Sequence, residues 1–408
     1  MDNLLSKLKS LGIIIPPSEI KNNQKVKVFP LDTFFDGTWH ANNAGKVFIM
    51  KKTIPFGTFH GNVQLSENFS TDPIFDLTGY IPQNDLHLGD IIFLDIETTS
   101  LSIGAGSFAF LVGLCYFSQK GITTNLIFIE KPNDEGALLT FLDDKLSQYS
   151  IICTYNGKSF DIPLLKNRYI MHRLQFTALS MHHLDLLYFA RKIWKMRLKT
   201  CKLSEIEKKI LQFTRSDDEI PGWLVPQIYF DYLDQKSPAI LKGVFNHNKM
   251  DVISLAALFQ YINQIITSHG NINGVEGTDL ASLARIYQQQ DKLELSSSYY
   301  QIGIKKGFGT ENSAYIHRNF GLVNKKQEKW DEAVNQWKLA SEFNDYISCI
   351  ELAKYFEHKE KSYYQALEWT YRAMEIINRE HIKGAKDKLI SKIEYRKQRL
   401  IRKMNLDE

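Results

Sequence analysis

The feature that most constrains the fold of this chain is the run Ile91-Ile92-Phe93-Leu94-Asp95, which is apolar until its last position. A short run without polar alternation is expected of a strand that is buried on both faces. Further β-like runs at 108–117 and 124–129 follow, then a helical pattern at 137–149 and another apolar run at 151–155. Three strands in sequence followed by alternating helix and strand predict an α/β fold with a mixed sheet flanked by helices. Later helices are predicted over 186–196, 200–211 and 238–266.

The chain divides into three predicted domains. Residues 1–85 are predicted to form a β-rich N-terminal extension, residues 86–270 the sheet domain, and residues 278–408 an all-α domain. Within the last, residues 329–340 align with residues 362–373 at an offset of 33 residues, with alanines at equivalent positions. This pattern resembles tetratricopeptide repeats, helical hairpins of about 34 residues. An unrelated helical bundle is the alternative.

Bulk properties exclude some classes of protein. The 408 residues lack an apolar run of about 18 residues, so no membrane-spanning helix or membrane partner is expected. The N-terminus lacks the pattern of a secretory signal, and the four cysteines lack the spacing of a zinc site. These features predict a cytoplasmic protein. A net charge of +4 neither indicates nor excludes nucleic-acid binding, since local patches decide phosphate affinity.

Two acids end the first predicted strand. Asp95 and Glu97 are two residues apart, so their side chains project to the same face, about 7 Å apart. Paired carboxylates are costly unless a cation neutralises them, and Mg²⁺ or Mn²⁺ prefers such oxygen ligands. The alternative is an ordinary strand end with two solvated acids.

A third acid follows a strand-to-helix junction. The segment Asn156-Gly157-Lys158-Ser159-Phe160-Asp161 places Asp161 at the start of a predicted helix. A carboxylate there is stabilised by the helix N-terminus and can still bind a metal. It is equally compatible with a simple helix N-cap. Lys158 and Arg168 are candidates for phosphate contacts, with solvated surface positions as the alternative.

A fourth acid lies on a late helix. His247 and Asp251 are four residues apart and therefore share one helical face. A solvated helix face is the alternative for both. Asp185, after a possible short strand, either supports the site from behind the other carboxylates or caps the helix that follows.

Together these motifs resemble the DEDD-type 3′–5′ exonucleases of the RNase H-like superfamily, over roughly residues 88–266. The Asp-x-Glu motif on the first strand, the Asn-x-x-x-Phe-Asp motif at the junction and the final Asp on a helix occur in the family's order. The chain looks most similar to the bacterial YprB-like branch, in which such a domain is joined to tetratricopeptide-like repeats.

The resemblance implies a two-metal site that holds two divalent cations, Mg or Mn. The metal ligands would be Asp95, Glu97, Asp161 and Asp251, and His247 would be the catalytic general base or the group that orients the water. His247 stands four residues before Asp251, a spacing at which the family usually has Tyr, whereas members with His usually have it five residues before that Asp. Contacts to the terminal nucleotide are expected from Thr98, Thr99, Leu101, Asn156 and Phe160.

The predicted function is hydrolysis of phosphodiester bonds at the 3′ end of single-stranded DNA or RNA. The alternative is a weakly active or inactive nucleic-acid-binding scaffold that acts through its repeats. A protein partner on the helical repeats is compatible with either. The basic stretch 383–403 either follows a nucleic-acid backbone or forms a solvated helix that caps the repeats.

Overall fold

The computed structural model describes residues 30–80, 86–100, 104, 106–215, 220–379 and 386–405. The N-terminal elements are α1 (Leu31–Phe34), β1 (Thr38–Asn42), β2 (Gly45–Pro55), β3 (Phe59–His60), β4 (Val63–Gln64) and α2 (Asp72–Asp76). The central elements are β5 (Ile91–Thr98), β6 (Ala109–Ser118), β7 (Gly121–Phe128), α3 (Glu135–Leu146), β8 (Ile151–Thr154), α4 (Asp161–Met171), β9 (His182–Asp185), α5 (Leu186–Trp194), α6 (Leu203–Ile206), α7 (Val225–Gln235) and α8 (Lys242–Thr267).

Seven strands form one mixed sheet in the order β1-β2-β7-β6-β5-β8-β9. Neighbouring strands from β1 through β2, β7 and β6 to β5 are antiparallel, whereas β5, β8 and β9 are parallel to one another. The N-terminal extension contributes to this sheet, because β2 pairs with β7 along its length, from Phe48 opposite Phe128 to Pro55 opposite Gly121. The predicted fold class, a mixed sheet flanked by helices and followed by a helical region, is confirmed.

Successive residues of β5 contribute to different cores. Ile91 and Phe93 belong to a cluster with Leu255 and Phe259 of α8. Ile92 and Leu94 belong to a second cluster, in which α3 and α4 also take part. Both sides of β5 are therefore covered, as its unbroken apolar sequence predicts. The odd-numbered residues of β5, which include Asp95 and Glu97, direct their side chains to the face of the sheet on which α8 packs.

The C-terminal region consists of helices. They are α9 (Gly277–Gln289), α10 (Leu293–Lys306), α11 (Thr310–Lys326), α12 (Trp330–Glu342), α13 (Tyr346–His358), α14 (Tyr363–Arg379) and α15 (Lys386–Met404). Short turns join α9 to α10, α11 to α12 and α13 to α14, and each pair packs together. Ala333 and Ala366, at equivalent positions of the sequence repeat, are both fully buried, as are Ala340 and Ala373. The assignment of these hairpins as tetratricopeptide repeats stays a prediction.

The basic stretch predicted over 383–403 lies on α15, with residues 380–385 outside the described part of the chain. Three cationic side chains of α15 bind the fully buried Glu357 of α13. Nitrogen atoms of Arg396, Arg399 and Lys403 lie 2.6, 2.6 and 2.9 Å from the carboxylate oxygens of Glu357. These three side chains anchor α15 to the hairpins.

Two predicted helices differ from the structure in detail. The helix expected over 200–211 is the short α6 followed by a π-helical turn at Glu207–Leu211, and the one expected over 238–266 begins with a 3-10 turn at Pro238–Leu241. Helix α7 was not predicted. No helix in the described ranges has the length and apolar character needed to cross a bilayer.

Candidate active site

Asp95 is held between β5 and α8. In the register of β5 and β6 it lies opposite Gly113, and Asn248 of α8 packs on that glycine. A Cβ at position 113 would lie 2.3 Å from Asn248 Oδ1, so only glycine allows this approach. Asn248 Nδ2 donates a hydrogen bond of 2.8 Å to Asp95 Oδ2. The buried amide oxygen of Asn248 has no hydrogen-bond partner within the described residues.

Asp161 begins α4 and faces β5. Its carboxylate accepts hydrogen bonds from the backbone N–H groups of Ile96 and of Asp161 itself. Burial nevertheless raises the pKa of Asp161 to about 7, with the charges of Asp185 and Asp251 acting in the same direction. The turn before the helix is tight, since a Cβ on Gly157 would lie 2.4 Å from Thr154 Oγ1.

The four predicted carboxylates occupy one electrostatic environment. The pKa of Asp95 is raised well above its ordinary value by burial and then by the charges of Asp251, Asp161 and Glu97. The pKa of Glu97 is raised by burial and then by Asp251 and Asp161, while Arg215 acts in the opposite direction. Glu97, Asp161 and Asp251 are buried and Asp95 is partly buried. Acids from three separate parts of the chain therefore converge.

His247 lies among these acids. Its Nε2 is 3.5 Å from Asp251 Oδ2 and 3.8 Å from Glu97 Oε1. Ligand atoms of Glu97, His247 and Asp251 all lie within 4.8 Å of one another, close enough to share a metal ion. His247 Nδ1 is 3.2 Å from Arg215 Nη1, and a guanidinium can only donate. A neutral His247 therefore carries its proton on Nε2, which points towards the carboxylates.

Arg215 is the counter-charge that sequence reasoning missed. It donates hydrogen bonds to Glu207 from Nε at 2.8 Å and from Nη2 at 2.6 Å, and Nη2 also bonds Asp251 Oδ1. Glu207 lies on the π-helical turn after α6 and accepts a further hydrogen bond of 2.5 Å from Ser254 Oγ. A buried ion-pair network thus links α6, α8 and the chain at residue 215.

Asp185 holds the loop that leads to Asp161. Its buried carboxylate accepts hydrogen bonds from the backbone N–H groups of Asn156 at 2.8 Å and Lys158 at 3.0 Å. It also caps α5 by accepting from Leu187 N at 3.1 Å. Asp185 is therefore a helix cap, one of the two predicted alternatives, and its support of the site stays a prediction.

The residues expected to contact substrate flank the acids along the chain. Thr98 is buried and donates to the carbonyl of Ser100 at 2.6 Å, and Thr99 exchanges hydrogen bonds with Phe108. Asn156 is exposed with a left-handed φ of 66°, and Phe160 is half-buried at the start of α4. Leu101 lies outside the described residues.

Of the two candidate phosphate contacts, Arg168 has another partner. It pairs with the buried Glu135 of α3, with Nη2 2.5 Å from Oε2. Lys158 Nζ instead lies 5.6 Å from the ring centre of the exposed Tyr188.

The side chains that meet here fit divalent cations. Carboxylate oxygens are hard donors of the kind that Mg²⁺ and Mn²⁺ prefer. Burial is the main cause of the raised pKa values of Asp95 and Glu97, and the charges of Asp251 and Asp161 raise both further, so a bound cation would relieve repulsion among these acids. The amide oxygen of Asn248, which has no hydrogen-bond partner among the described residues, is a further uncharged ligand atom beside Asp95.

The chain is similar to one family model and to two known proteins. Residues 92–263 match the family model of the RNase H superfamily. The chain is 32% identical over 322 residues to the uncharacterized protein YprB of Bacillus subtilis (strain 168), and the alignment covers 77% of each protein. A family B DNA polymerase from the archaeon Pyrobaculum calidifontis gives a TM-score of 0.34 at 15% identity, over 49% of this chain and 29% of the polymerase chain. The protein therefore belongs to the family of YprB, and its residues 92–263 form an RNase H superfamily domain.

Proposed function

We propose that this protein is a metal-dependent 3′–5′ exonuclease that hydrolyses phosphodiester bonds at single-stranded nucleic-acid ends. The observation that carries the proposal is the convergence of Asp95, Glu97, Asp161 and Asp251 at one edge of the sheet. An RNase H superfamily domain with clustered, water-shielded acids is suited to phosphoryl chemistry, which requires charge neutralisation more than covalent help.

The four carboxylates are the proposed ligands of two divalent cations, Mg²⁺ or Mn²⁺. The chemistry that such ions supply when bound is activation of the attacking water and stabilisation of the leaving oxygen. Asn248 fixes the orientation of Asp95, and the backbone N–H of Ile96 fixes that of Asp161. His247 orients the water through Nε2, because its Nδ1 is engaged with Arg215.

The terminal nucleotide is proposed to lie beside Thr98 and Thr99, which follow Glu97 along the chain, and beside Asn156 and Phe160, which precede Asp161. An unpaired end suits this arrangement, since the terminal phosphodiester must reach acids that are largely buried. The helical hairpins are the proposed surface for a protein partner.

A nuclease assay tests the proposal. Full-length protein is given 5′-labelled single strands of DNA or RNA with Mg²⁺ or Mn²⁺, beside the variants Asp95→Asn and Asp144→Asn. Asp144 is exposed on α3, so it is the matched control. We expect a ladder that shortens from the 3′ end, a rate roughly 10²–10³-fold lower for Asp95→Asn and a normal rate for the control. Equal rates for wild type and Asp95→Asn would refute the assignment.

One observation favours the second candidate, a weakly active nucleic-acid-binding scaffold. Arg215 already bonds Asp251 and thereby neutralises part of the acidic cluster. Under this alternative the wild-type protein binds labelled strands and leaves them intact with either metal, a result that the same assay detects.

A further inference from the structure

A groove of about 490 Å³ lies beside the loop that leads to Asp161. Four cationic side chains line it, together with Tyr155 and Asn156: Arg191, Lys195, Lys199 and Lys202. We call these four residues and their cavity the cationic groove. Within the described part of the chain, none of the residues that line it is an Asp or a Glu.

The cationic groove lies at the edge of the sheet that carries the acids. Strands β5, β8 and β9 are parallel, so their carboxyl ends meet at this edge. Asn156 follows the end of β8, and its backbone N–H is held by Asp185 at the end of β9. Asp161 begins α4 from the same loop. A ligand in the groove is thus adjacent to the element that supplies one of the four carboxylates.

Ion pairs do not neutralise the cationic groove in the described part of the chain. None of Arg191, Lys195, Lys199 and Lys202 forms an ion pair in the ranges that the structure describes, and all four are exposed. The basic helix α15 differs, because Glu357 binds three of its cations. Four like charges around one cavity favour a ligand with repeated negative charges, as a phosphate backbone has.

An exposed aromatic ring of α5 lies on the same helical face as Arg191 and Lys195, which line the groove. Tyr188 is 50% exposed, and Arg191 and Lys195 follow it by three and seven residues, so the three side chains are neighbours along one helical face. Lys158 lies over the ring. Rings beside cations are the arrangement with which proteins bind single strands, because bases stack while phosphates pair.

We propose that the cationic groove binds the sugar-phosphate backbone of a single-stranded nucleic acid whose end enters the carboxylate site, and that Tyr188 stacks on one of its bases. This inference rests on the proposed function and adds the surface that holds the strand. The inference assigns binding of the nucleic acid to α5 and the residues that follow it up to Lys202. The acids that are proposed to cleave the nucleic acid lie on other elements.

Salt-dependent binding tests the electrostatic part. Affinity of the full-length protein for a 5′-fluorescein-labelled single strand is measured by anisotropy in EDTA, which removes divalent cations and so prevents cleavage. We expect the triple variant Lys195→Gln, Lys199→Gln, Lys202→Gln to bind about tenfold more weakly at low salt. The slope of log affinity against log salt should decrease in magnitude by roughly 2, because each lost phosphate contact removes about 0.7.

A matched control carries the same change in charge elsewhere. Lys120, Lys305 and Lys338 are exposed, and Lys120 lies in the β6–β7 turn at the opposite edge of the sheet. Their simultaneous change to Gln should leave both affinity and salt slope near the wild-type values. Equal losses in the two triple variants, or no loss in either, would overturn the proposal, as would a wild-type protein that fails to bind the strand.

The stacking part has its own readout. We expect Tyr188→Ala to weaken binding about fivefold or more without changing the salt slope, and Tyr188→Phe to retain wild-type affinity. Tyr364→Ala, at a tyrosine of α14 that is 65% exposed, is the control and should have no effect. Equal affinity of Tyr188→Ala and wild type would contradict stacking.

Failure of this inference is distinguishable from failure of the proposed function. Binding that depends on the cationic groove, in a protein that leaves strands intact with Mg²⁺ or Mn²⁺, supports the groove and refutes the exonuclease. Cleavage that depends on Asp95, with a salt slope unaffected by the lysine changes, supports the exonuclease and refutes the groove. Equal displacement of the strand by poly-glutamate of matched charge would indicate an acidic-protein surface and would also refute it.

Discussion

Single buried acids in this protein differ in how their charge is compensated. Glu357 is surrounded by cations, and although burial disfavours its charged form, hydrogen bonds from Lys403 and Arg399 lower its pKa. Asp95 has no bonded cation in the described part of the chain, only the amide of Asn248, and its pKa is raised. A buried acid that is paired with cations is explained by a structural role alone. A buried acid without a bonded cation is costly unless a ligand neutralises it. This contrast separates Glu357, which anchors α15, from Asp95 at the candidate site.

One buried histidine makes stability depend on pH. His60 Nε2 is 2.8 Å from Ser254 Oγ, and burial, followed by the charge of Arg215, lowers its pKa from 6.5 to about 4. The unfolded chain therefore takes up a proton before the folded protein does. The contribution of neutral His60 to stability is complete above pH 6.5 and is lost as pH falls from 6.5 to about 4.

We expect the wild-type protein to lose up to about 3 kcal/mol relative to His60→Gln over this interval. Urea denaturation at a series of pH values measures the difference, with His40→Gln at an exposed position as control. A constant difference between wild type and His60→Gln across the interval would exclude this linkage.

The sequence predicts the acids of the site better than their partners. Asn248 precedes Asp251 by three residues and shares its helical face, so periodicity alone could have placed it at the site. Arg215 belongs to a stretch without helical or strand periodicity, and its bonds to Glu207 and Asp251 depend on tertiary packing. No spacing rule identifies such a residue.

Among the secondary-structure elements, those with strong patterns were predicted and those with mixed patterns were not. The apolar run of β5 and the long apolar stretch of α8 leave few alternatives. Helix α7 was not predicted, although its buried residues Val225, Tyr229 and Tyr232 recur at helical spacing. The strand propensity of its β-branched and aromatic residues obscures this period.

The loop between β8 and α4 depends on one side chain of β9. Asp185 accepts three backbone hydrogen bonds, two from this loop and one from the first turn of α5. We expect Asp185→Ala to reduce the free energy of unfolding by about 1–3 kcal/mol, because buried N–H groups lose their acceptor. Activity should fall as well, since Asp161 follows the loop.

Asp143→Ala provides the matched control. Asp143 anchors a different loop by accepting from Thr177 N and Oγ1 at 2.7 and 3.0 Å, away from the four carboxylates. A comparable loss of stability with normal activity is expected there, measured by urea denaturation and by the nuclease assay. If both variants lost activity equally, Asp185 would have no specific role in positioning Asp161.

At the scale of the whole molecule, the sheet and the first helical hairpins share one core. The cluster under α8 continues through Leu280 and Tyr299 to Phe320, which lie on α9, α10 and α11. Arg197, beyond α5, pairs with the buried Asp279 of α9 at 2.7 Å. The end of the strand-like patterns predicts a domain boundary between residues 270 and 278. Sequence patterns do not reveal that apolar surface on both sides packs together, because this depends on the tertiary arrangement of the helices.

Truncation distinguishes a shared core from independent domains. A chain that ends at residue 270 loses Leu280, Leu283, Tyr299 and Tyr300, which are all nearly fully buried. At about 1.5–3 kcal/mol for each side chain, the loss is comparable with the entire stability of a typical domain. We expect this fragment to aggregate or to melt without cooperativity, and a chain that ends at residue 326 to melt cooperatively by circular dichroism. A cooperative transition of the shorter fragment at the full-length temperature would show that the domains are independent.

Glu357 gives the last helix a role in the charge balance of the interior. A chain that stopped before Arg396 would keep this carboxylate beneath α13 with none of the three cations that now surround it. The shortened protein could then fold only by protonating Glu357 or by opening a path for water to it. Helix α15 therefore neutralises a buried charge of the hairpins, and part of its positive charge is needed for folding.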